Sequence, residues 1–330
     1  MKHPFSKDSR ILVAGHRGLV GSALVRRLNA GGYRNLILKS RQELDLLDQR
    51  AVNSFYSSHR PEFVFFAAAR VGGILANQGA QADFLYENLT MTTNCIHAAL
   101  DCGVEKFLFL GSNCIYPKFA EQPVREQSLL TGPLEATNEG YAIAKIAGVK
   151  LCEMIQRQHS RRFVSAMPCN LYGPGDNFDL ETSHVVPGLL RRFHVAKNRR
   201  ESSVRVWGSG KAYRECMHVD DLADALLVVM DRYEEATPIN IGTGTDLSIA
   251  DLAEAVKHAT RYPGDIEYDR TKPDGTPRKV LEVGKLRQLG WHHRISLEEG
   301  LARTYEWMQT ALSGHAPPLT RVSPDQVLSR

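Results

Sequence analysis

Glycine stands at every third position in Gly15-His16-Arg17-Gly18-Leu19-Val20-Gly21, directly after the apolar run 11–14. Few short patterns restrict a fold so tightly. The first glycine permits a sharp turn out of a strand, the second lets backbone approach a diphosphate, and the third lets the following helix pack on that strand. Phosphate oxygens then meet unpaired N–H groups at the positive end of the helix dipole. The pattern carries this meaning only between a strand and a helix. Residues 19–30 supply the helix, with apolar side chains at helical spacing.

The chain repeats that alternation. Short apolar runs at 36–38, 63–66, 107–110 and 163–167 alternate with helix-like stretches, among them 81–100 and 141–158. Strands that are apolar throughout belong to a sheet covered on both faces. The expected fold class is α/β, a doubly wound parallel sheet of the Rossmann type. After Asn170 a long loop rich in Gly, Pro and Asp begins, followed by a basic helix at 186–197 and a strand at 204–207. A helix at 219–230, a strand at 239–241 that returns to the main sheet and a last helix near 297–311 complete the pattern. This divides the chain into an NADP-binding domain over 1–172, with 216–242 returning to it, and a smaller, mixed α/β substrate lobe from 173–215 and 243–330.

Composition narrows the class. The 330 residues are 43% hydrophobic and 24% charged, an ordinary globular balance, and a net charge of +4 is too mild to indicate nucleic acid. The six cysteines, at 95, 102, 114, 152, 169 and 216, form no Cys-x-x-Cys pair and no zinc-ligand spacing. They read as reduced thiols in a cytoplasmic protein with no metal. The longest apolar stretch, 63–69, is too short to cross a bilayer. The polar opening MKHPFSKDSR leaves no room for a signal peptide. No membrane partner is expected.

Three further features carry chemistry. Lys39-Ser40-Arg41 lies where a dinucleotide site reads the ribose, and Arg17 adds a second guanidinium. Cations there, without an acid, favour the 2′-phosphate of NADP over NAD. Tyr141 and Lys145 stand one helical turn apart on one face, so an ammonium can steady a phenolate. Ser112 lies just past the fourth strand, at the carboxyl end where open α/β sheets bind ligands.

With the segments AGHRGLVGSA, AAARVGGI, LFLGSNCIYPK, NEGYAIAKIAG, NLYGPGDNF, SHVVPGLLRRFH, VWGSG, HVDD, INIGTG and KPDGTPRK, the chain resembles the extended short-chain dehydrogenase/reductase family. The resemblance runs from near residue 11 to about residue 311, nearly the whole chain, and GSNCIYPK with SHVVP is similar to its bifunctional nucleotide-sugar epimerase-reductases. The resemblance implies a homodimer that takes GDP-4-keto-6-deoxymannose and NADPH, epimerises C3 and C5 through enolates, and reduces C4 to give GDP-L-fucose. It implies Ser112, Tyr141 and Lys145 as a triad, Cys114 as the epimerisation base and His184 as its acid. It extends the cofactor site from the glycine loop (Gly15, His16, Arg17, Gly18, Leu19, Val20, Gly21) and Arg41 to Leu46, Leu110, Lys145, Pro168, Asn170, Leu171 and His184. Asn170, Arg192, Trp207, Arg214 and Asp274 are the implied substrate contacts, with the dimer formed by the helices at 81–100 and 141–158.

Three positions depart from the family's pattern. Asn113 replaces a second Ser, Gly140 stands before Tyr141 in place of Pro and loosens the expected helix entry, and Cys169 replaces Thr beside the pocket. Two other readings compete. A 4-epimerase or 4,6-dehydratase of this fold keeps its NAD bound, and dehydratases carry Thr-Asp-Glu where this chain has Ser112-Asn113-Cys114. A non-catalytic NADP-sensing protein has no need of Ser112, Cys114, Tyr141, Lys145 and His184 together.

Overall fold

The computed structural model describes residues 4–180, 182–272 and 275–314. Six parallel strands form the central sheet: β1 (Ile11–Ala14), β2 (Leu36–Ile37), β3 (Phe63–Phe66), β4 (Lys106–Leu110), β5 (Arg162–Pro168) and β10 (Ile239–Ile241). Their order across the sheet is β2-β1-β3-β4-β5-β10. The order reverses between β1 and β3, and the crevice beyond their carboxyl ends is where such sheets bind ligands.

Burial explains the run-like strand sequences. Every residue of β1, β3 and β4 is buried. Phenyl rings bridge neighbouring strands, with centroids 5.8 Å apart for Phe66 and Phe107 and 5.2 Å for Phe107 and Phe163. Each such ring contributes about 1.5–3 kcal/mol on burial. Helix α1 (Leu19–Ala30) pairs with α7 (Val219–Arg232), tied by Arg26 to Asp220 and Arg27 to Asp224, each at 2.7 Å. Helix α4 (Gln81–Asp101) packs between α2 (Gln49–His59) and α5 (Glu139–His159), and short α3 (Ile74–Gly79) precedes it.

A second core gathers Tyr172, Leu190, Phe193, Val204, Val206, Leu252, Val256, Leu301 and Met308. They come from β6 (Asn170–Tyr172), β7 (Ser203–Trp207), α6 (Val185–Arg199), α8 (Ile249–Thr260) and α10 (Leu297–Leu312). Strands β8 (Tyr213–Arg214), β11 (Leu247–Ser248) and β13 (Arg278–Lys279) form a three-stranded sheet, while β9 (Cys216–His218) pairs with β6 and β12 (Asp265–Asp269) with β7. Beyond residue 243 not everything joins this second core. Leu281, Val283, Leu286 and Trp291, around α9 (Gly284–Gln288), pack into the core of the central sheet.

Helices α2 and α8 were not among the elements read from the sequence. Both carry local start signals: Asp48 accepts from the N–H groups of Arg50 and Ala51, and Ser248 forms a capping box with Asp251.

Candidate active site

The glycine loop has the geometry its spacing implies. Gly15 has φ +80°, and a Cβ there would lie 2.8 Å from the backbone of Ala68 beyond β3. A Cβ on Gly21 would lie 2.1 Å from the Gly15 oxygen, whereas Gly18 meets nothing nearer than 3.5 Å. Gly18 is the N-cap of α1 and brings no capping side chain, so first-turn N–H groups are left for a ligand. A dinucleotide diphosphate fits this cradle.

His16 is buried beneath the end of β2, hydrogen-bonded to Lys39 backbone, and desolvation lowers its pKa. Arg41 is exposed and makes no ion pair among the described residues. One feature differs from the sequence reading, which counted no acid here. Glu43 folds back to accept from Ser40 N at 2.8 Å and Ser40 Oγ at 2.7 Å, and it attracts Lys39 and Arg17. Leu46 is held where its carbonyl accepts from Asn94 at 3.0 Å.

The acid–base groups gather at the end of β4. Helix α5 lies close on this strand at Gly148, where a Cβ would fall 2.4 Å from the Phe109 ring. One turn earlier Lys145 is buried and donates to the Leu110 carbonyl at 2.7 Å. Its ammonium is 4.9 Å from the Phe109 ring centre and 5.7 Å from that of Tyr141. Burial lowers Lys145 to about 8, opposed by Cys114. Burial also pushes the Tyr141 phenol up, with Cys114 adding to the effect. Among the influences on the phenol, desolvation is the largest, while the Lys145 ammonium is turned to the Leu110 carbonyl.

Ser112 caps the turn Asn113–Ile115, its Oγ accepting from Cys114 N at 3.3 Å. Cys114 is buried, which raises its pKa, while Lys279, the Ser112 hydroxyl and Lys145 oppose that rise in this order. Lys279 was missed in the sequence, where KPDGTPRK reads as a turn; β13 pairs with β8 and places Lys279 opposite Arg214.

Two departures acquire a physical reason. Gly140 is tied into the entry to α5: its N–H donates to Gln81 Oε1 at 3.1 Å, and a Cβ there would lie 2.5 Å from the Gln81 backbone carbonyl oxygen. Gln81 also donates to the Ala136 carbonyl at 3.0 Å, so it holds the approach to Tyr141 at two points. Cys169 is buried and pushed well above the usual thiol range, which marks an unreactive thiol.

Pro168 ends β5, and Asn170 and Leu171 follow on β6, half-buried. Asn170 Nδ2 donates to the Glu215 carbonyl at 3.0 Å. The Glu215 carboxylate, fully buried and raised to about 7 by desolvation, accepts from Gly244 N at 2.7 Å and Leu281 N at 2.8 Å. It ties β8 and β13 to the end of β10.

His184 is the N-cap of α6 and is exposed, with partial desolvation by its neighbours lowering its imidazole from the ordinary value. On the lobe, the Arg192 guanidinium lies 4.7 Å from the centre of the Trp207 ring, with Lys272 at 5.7 Å. Arg214 donates to the carbonyls of Tyr213 at 2.7 Å and Thr276 at 2.6 Å. Asp274 lies outside the described residues.

A Ser–Tyr–Lys set and a glycine cradle at the carboxyl ends of one parallel sheet define a dinucleotide-dependent oxidoreductase. The NAD dependent epimerase/dehydratase family matches residues 11–242, and the chain belongs to that family. It is 54% identical over 301 residues to GDP-L-fucose synthase 1 of Arabidopsis thaliana, covering 91% of this chain and 93% of that protein. It is 53% identical to the GDP-L-fucose synthase of Escherichia coli (strain K12), covering 90% and 96%. A GDP-L-fucose synthetase of Naegleria fowleri, solved bound to NADP, superposes with a TM-score of 0.87 at 28% identity, covering 95% of this chain and 98% of that one. No helix among the described residues is long and apolar enough to cross a membrane.

Proposed function

We propose that the protein is a cytoplasmic, NADPH-dependent epimerase-reductase that converts GDP-4-keto-6-deoxymannose to GDP-L-fucose. One observation carries this reading: Ser112, Cys114, Tyr141 and Lys145 meet at the end of β4, so a single carbonyl can be held, flanked by a base and protonated.

The chemistry follows from the ketone. Protons at C3 and C5 are both α to the C4 carbonyl, and removing either places negative charge on the same oxygen. Ser112 and Tyr141 donate to that oxygen. Cys114 removes the proton as thiolate, which Lys279 and Lys145 stabilise, and His184 returns one from the opposite face. The glycine cradle, Arg17 and Arg41 would hold NADPH, which when bound would supply the hydride that C4 takes up. Tyr141, kept protonated by burial, then gives its proton to the C4 oxygen, and Lys145 stabilises the phenolate left behind.

Arg192, Trp207 and Arg214 bind the GDP moiety, since guanidinium groups match diphosphate oxygens and an indole offers a face to a base. The nucleotide-binding domain and the substrate lobe divide near residue 172, with 281–291 joined to the former. Two copies pair through α4 and α5, whose exposed side chains include Tyr86, Ile143 and Met154.

In deuterated buffer without NADPH, the protein is expected to place deuterium at both C3 and C5 of the keto sugar. Exchange at neither carbon contradicts the epimerase half. Arg41→Asp is expected to raise KM for NADPH about 10- to 100-fold, by loss of a charge-assisted phosphate contact, with little effect on KM for NADH. Equal effects on both would contradict the 2′-phosphate contact.

A further inference from the structure

The AAARVGGI segment has so far no part in the chemistry. It leaves the carboxyl end of β3 and meets Thr182 and Ser183, which directly precede His184. Gly73 N–H donates to the Thr182 carbonyl at 2.9 Å, two residues before His184. A Cβ on Gly73 would stand 2.9 Å from the Ser183 oxygen and 3.0 Å from the Thr182 oxygen. From the other side, a Cβ on Gly188 would stand 2.8 Å from Ser183 Oγ. Residues 182–183 therefore thread between two glycines.

Gly73 itself has φ −66° and ψ −177°, a backbone conformation open to any residue. Its lack of a side chain is required by the contact, not by the torsion. Asn77, buried on α3, fixes the segment from below: Nδ2 donates to Gly72 O at 2.7 Å and to Gly73 O at 3.0 Å. On the loop side, Thr182 N–H donates to Asp179 Oδ1 at 2.9 Å, so the loop arrives already shaped.

We infer that Gly73 is a positioning residue for epimerisation: it seats the His184-bearing loop against the end of β3 and so sets where the imidazole delivers its proton. The inference rests on the reading of His184 as the epimerisation acid. Strand β3 is the neighbour of β4, where Ser112 and Cys114 sit. The Gly73–Thr182 bond thus registers the acid, on the far side of the sugar, with the base. Proton transfer is sensitive to such registration, since a displacement of about 1 Å costs about 100-fold.

The test compares Gly73→Ala, His184→Asn and Gly79→Ala. Gly79 lies at the end of the same helix with no atom within 4 Å of an added Cβ, so its variant controls for helix propensity. Three quantities are read: deuterium exchange at C3 and C5, reverse hydride transfer from GDP-L-fucose to NADP+, and NADPH affinity by fluorescence. Gly73→Ala is expected to lose about 100-fold in exchange while reverse hydride transfer and NADPH affinity change by less than about threefold, His184 being one of many implied cofactor contacts. Gly79→Ala is expected to change none of the three. Asn77→Ala, which removes the support without adding a clash, is expected to show the same split in weaker form. Normal exchange in Gly73→Ala alongside lost exchange in His184→Asn overturns the role of Gly73. Equal loss of all three quantities in both Gly73→Ala and Asn77→Ala overturns it too, as general damage. Normal exchange in His184→Asn overturns the assignment of the acid, and this role with it.

Discussion

Cys114→Ala is expected to lower deuterium exchange at C3 and C5 by about 1,000-fold, while NADPH binding is retained. The thiol is buried and the substitution removes only a sulfur, so the fold has little to lose. The pH profile adds a sharper expectation. On the proposed mechanism, exchange needs Cys114 as thiolate and His184 as imidazolium together. Burial raises the thiol, and partial desolvation by its surrounding loop lowers the imidazole of His184, which is exposed, so the two values are driven apart. Exchange should then rise with pH until the imidazole's value, stay flat, and fall only above the thiol's. A broad plateau is the signature of that order. Its height falls tenfold for each unit of separation, which is why the opposing cations Lys279 and Lys145 matter. A narrow bell with its acid limb set by the thiol would contradict this arrangement. Unchanged exchange in Cys114→Ala would mean that another group is the base.

Tyr141→Phe is expected to lower reduction by about 100- to 10,000-fold, the range for a lost general acid, and exchange far less. The reason is asymmetric demand. During exchange the C4 oxygen carries enolate charge that the Ser112 hydroxyl still meets. In reduction that oxygen becomes an alkoxide and must receive a full proton, for which Tyr141 is the proposed donor. Comparing single-turnover NADPH oxidation with deuterium exchange separates the two. Equal losses in both would contradict a reduction-specific role for the phenol.

The cofactor end was legible because its constraints are local. Gly15, Gly18 and Gly21 are spaced by the geometry of one turn, and the apolar strands reflect burial on both faces of one sheet. Tyr141 and Lys145 share a helix, so their facing was also written in the spacing. What the sequence could not display was produced by pairing across distance. Lys279 acts electrostatically on Cys114 across the chain fold, where β13 pairs with β8, and β13 has only two residues, too few for any periodicity. Glu43 returns to Ser40 through a three-residue hydrogen bond, which puts an acid where the linear order suggested only cations.

Gly140 shows the same difference in a single position. By sequence it weakens a helix entry; in the fold its missing side chain admits Gln81, whose amide holds both sides of that entry. The phenol's raised pKa is likewise an effect of surroundings. Spacing placed an ammonium near it, but desolvation, followed by Cys114, pushes the phenol up.

The most direct test supplies GDP-4-keto-6-deoxymannose and NADPH to the purified protein, follows nicotinamide absorbance, and assigns the product sugar by NMR. One NADPH oxidised for each GDP-L-fucose formed is the expected result. A well-folded protein that oxidises no NADPH, or a reduced product that keeps its original configuration at C3 and C5, would contradict it.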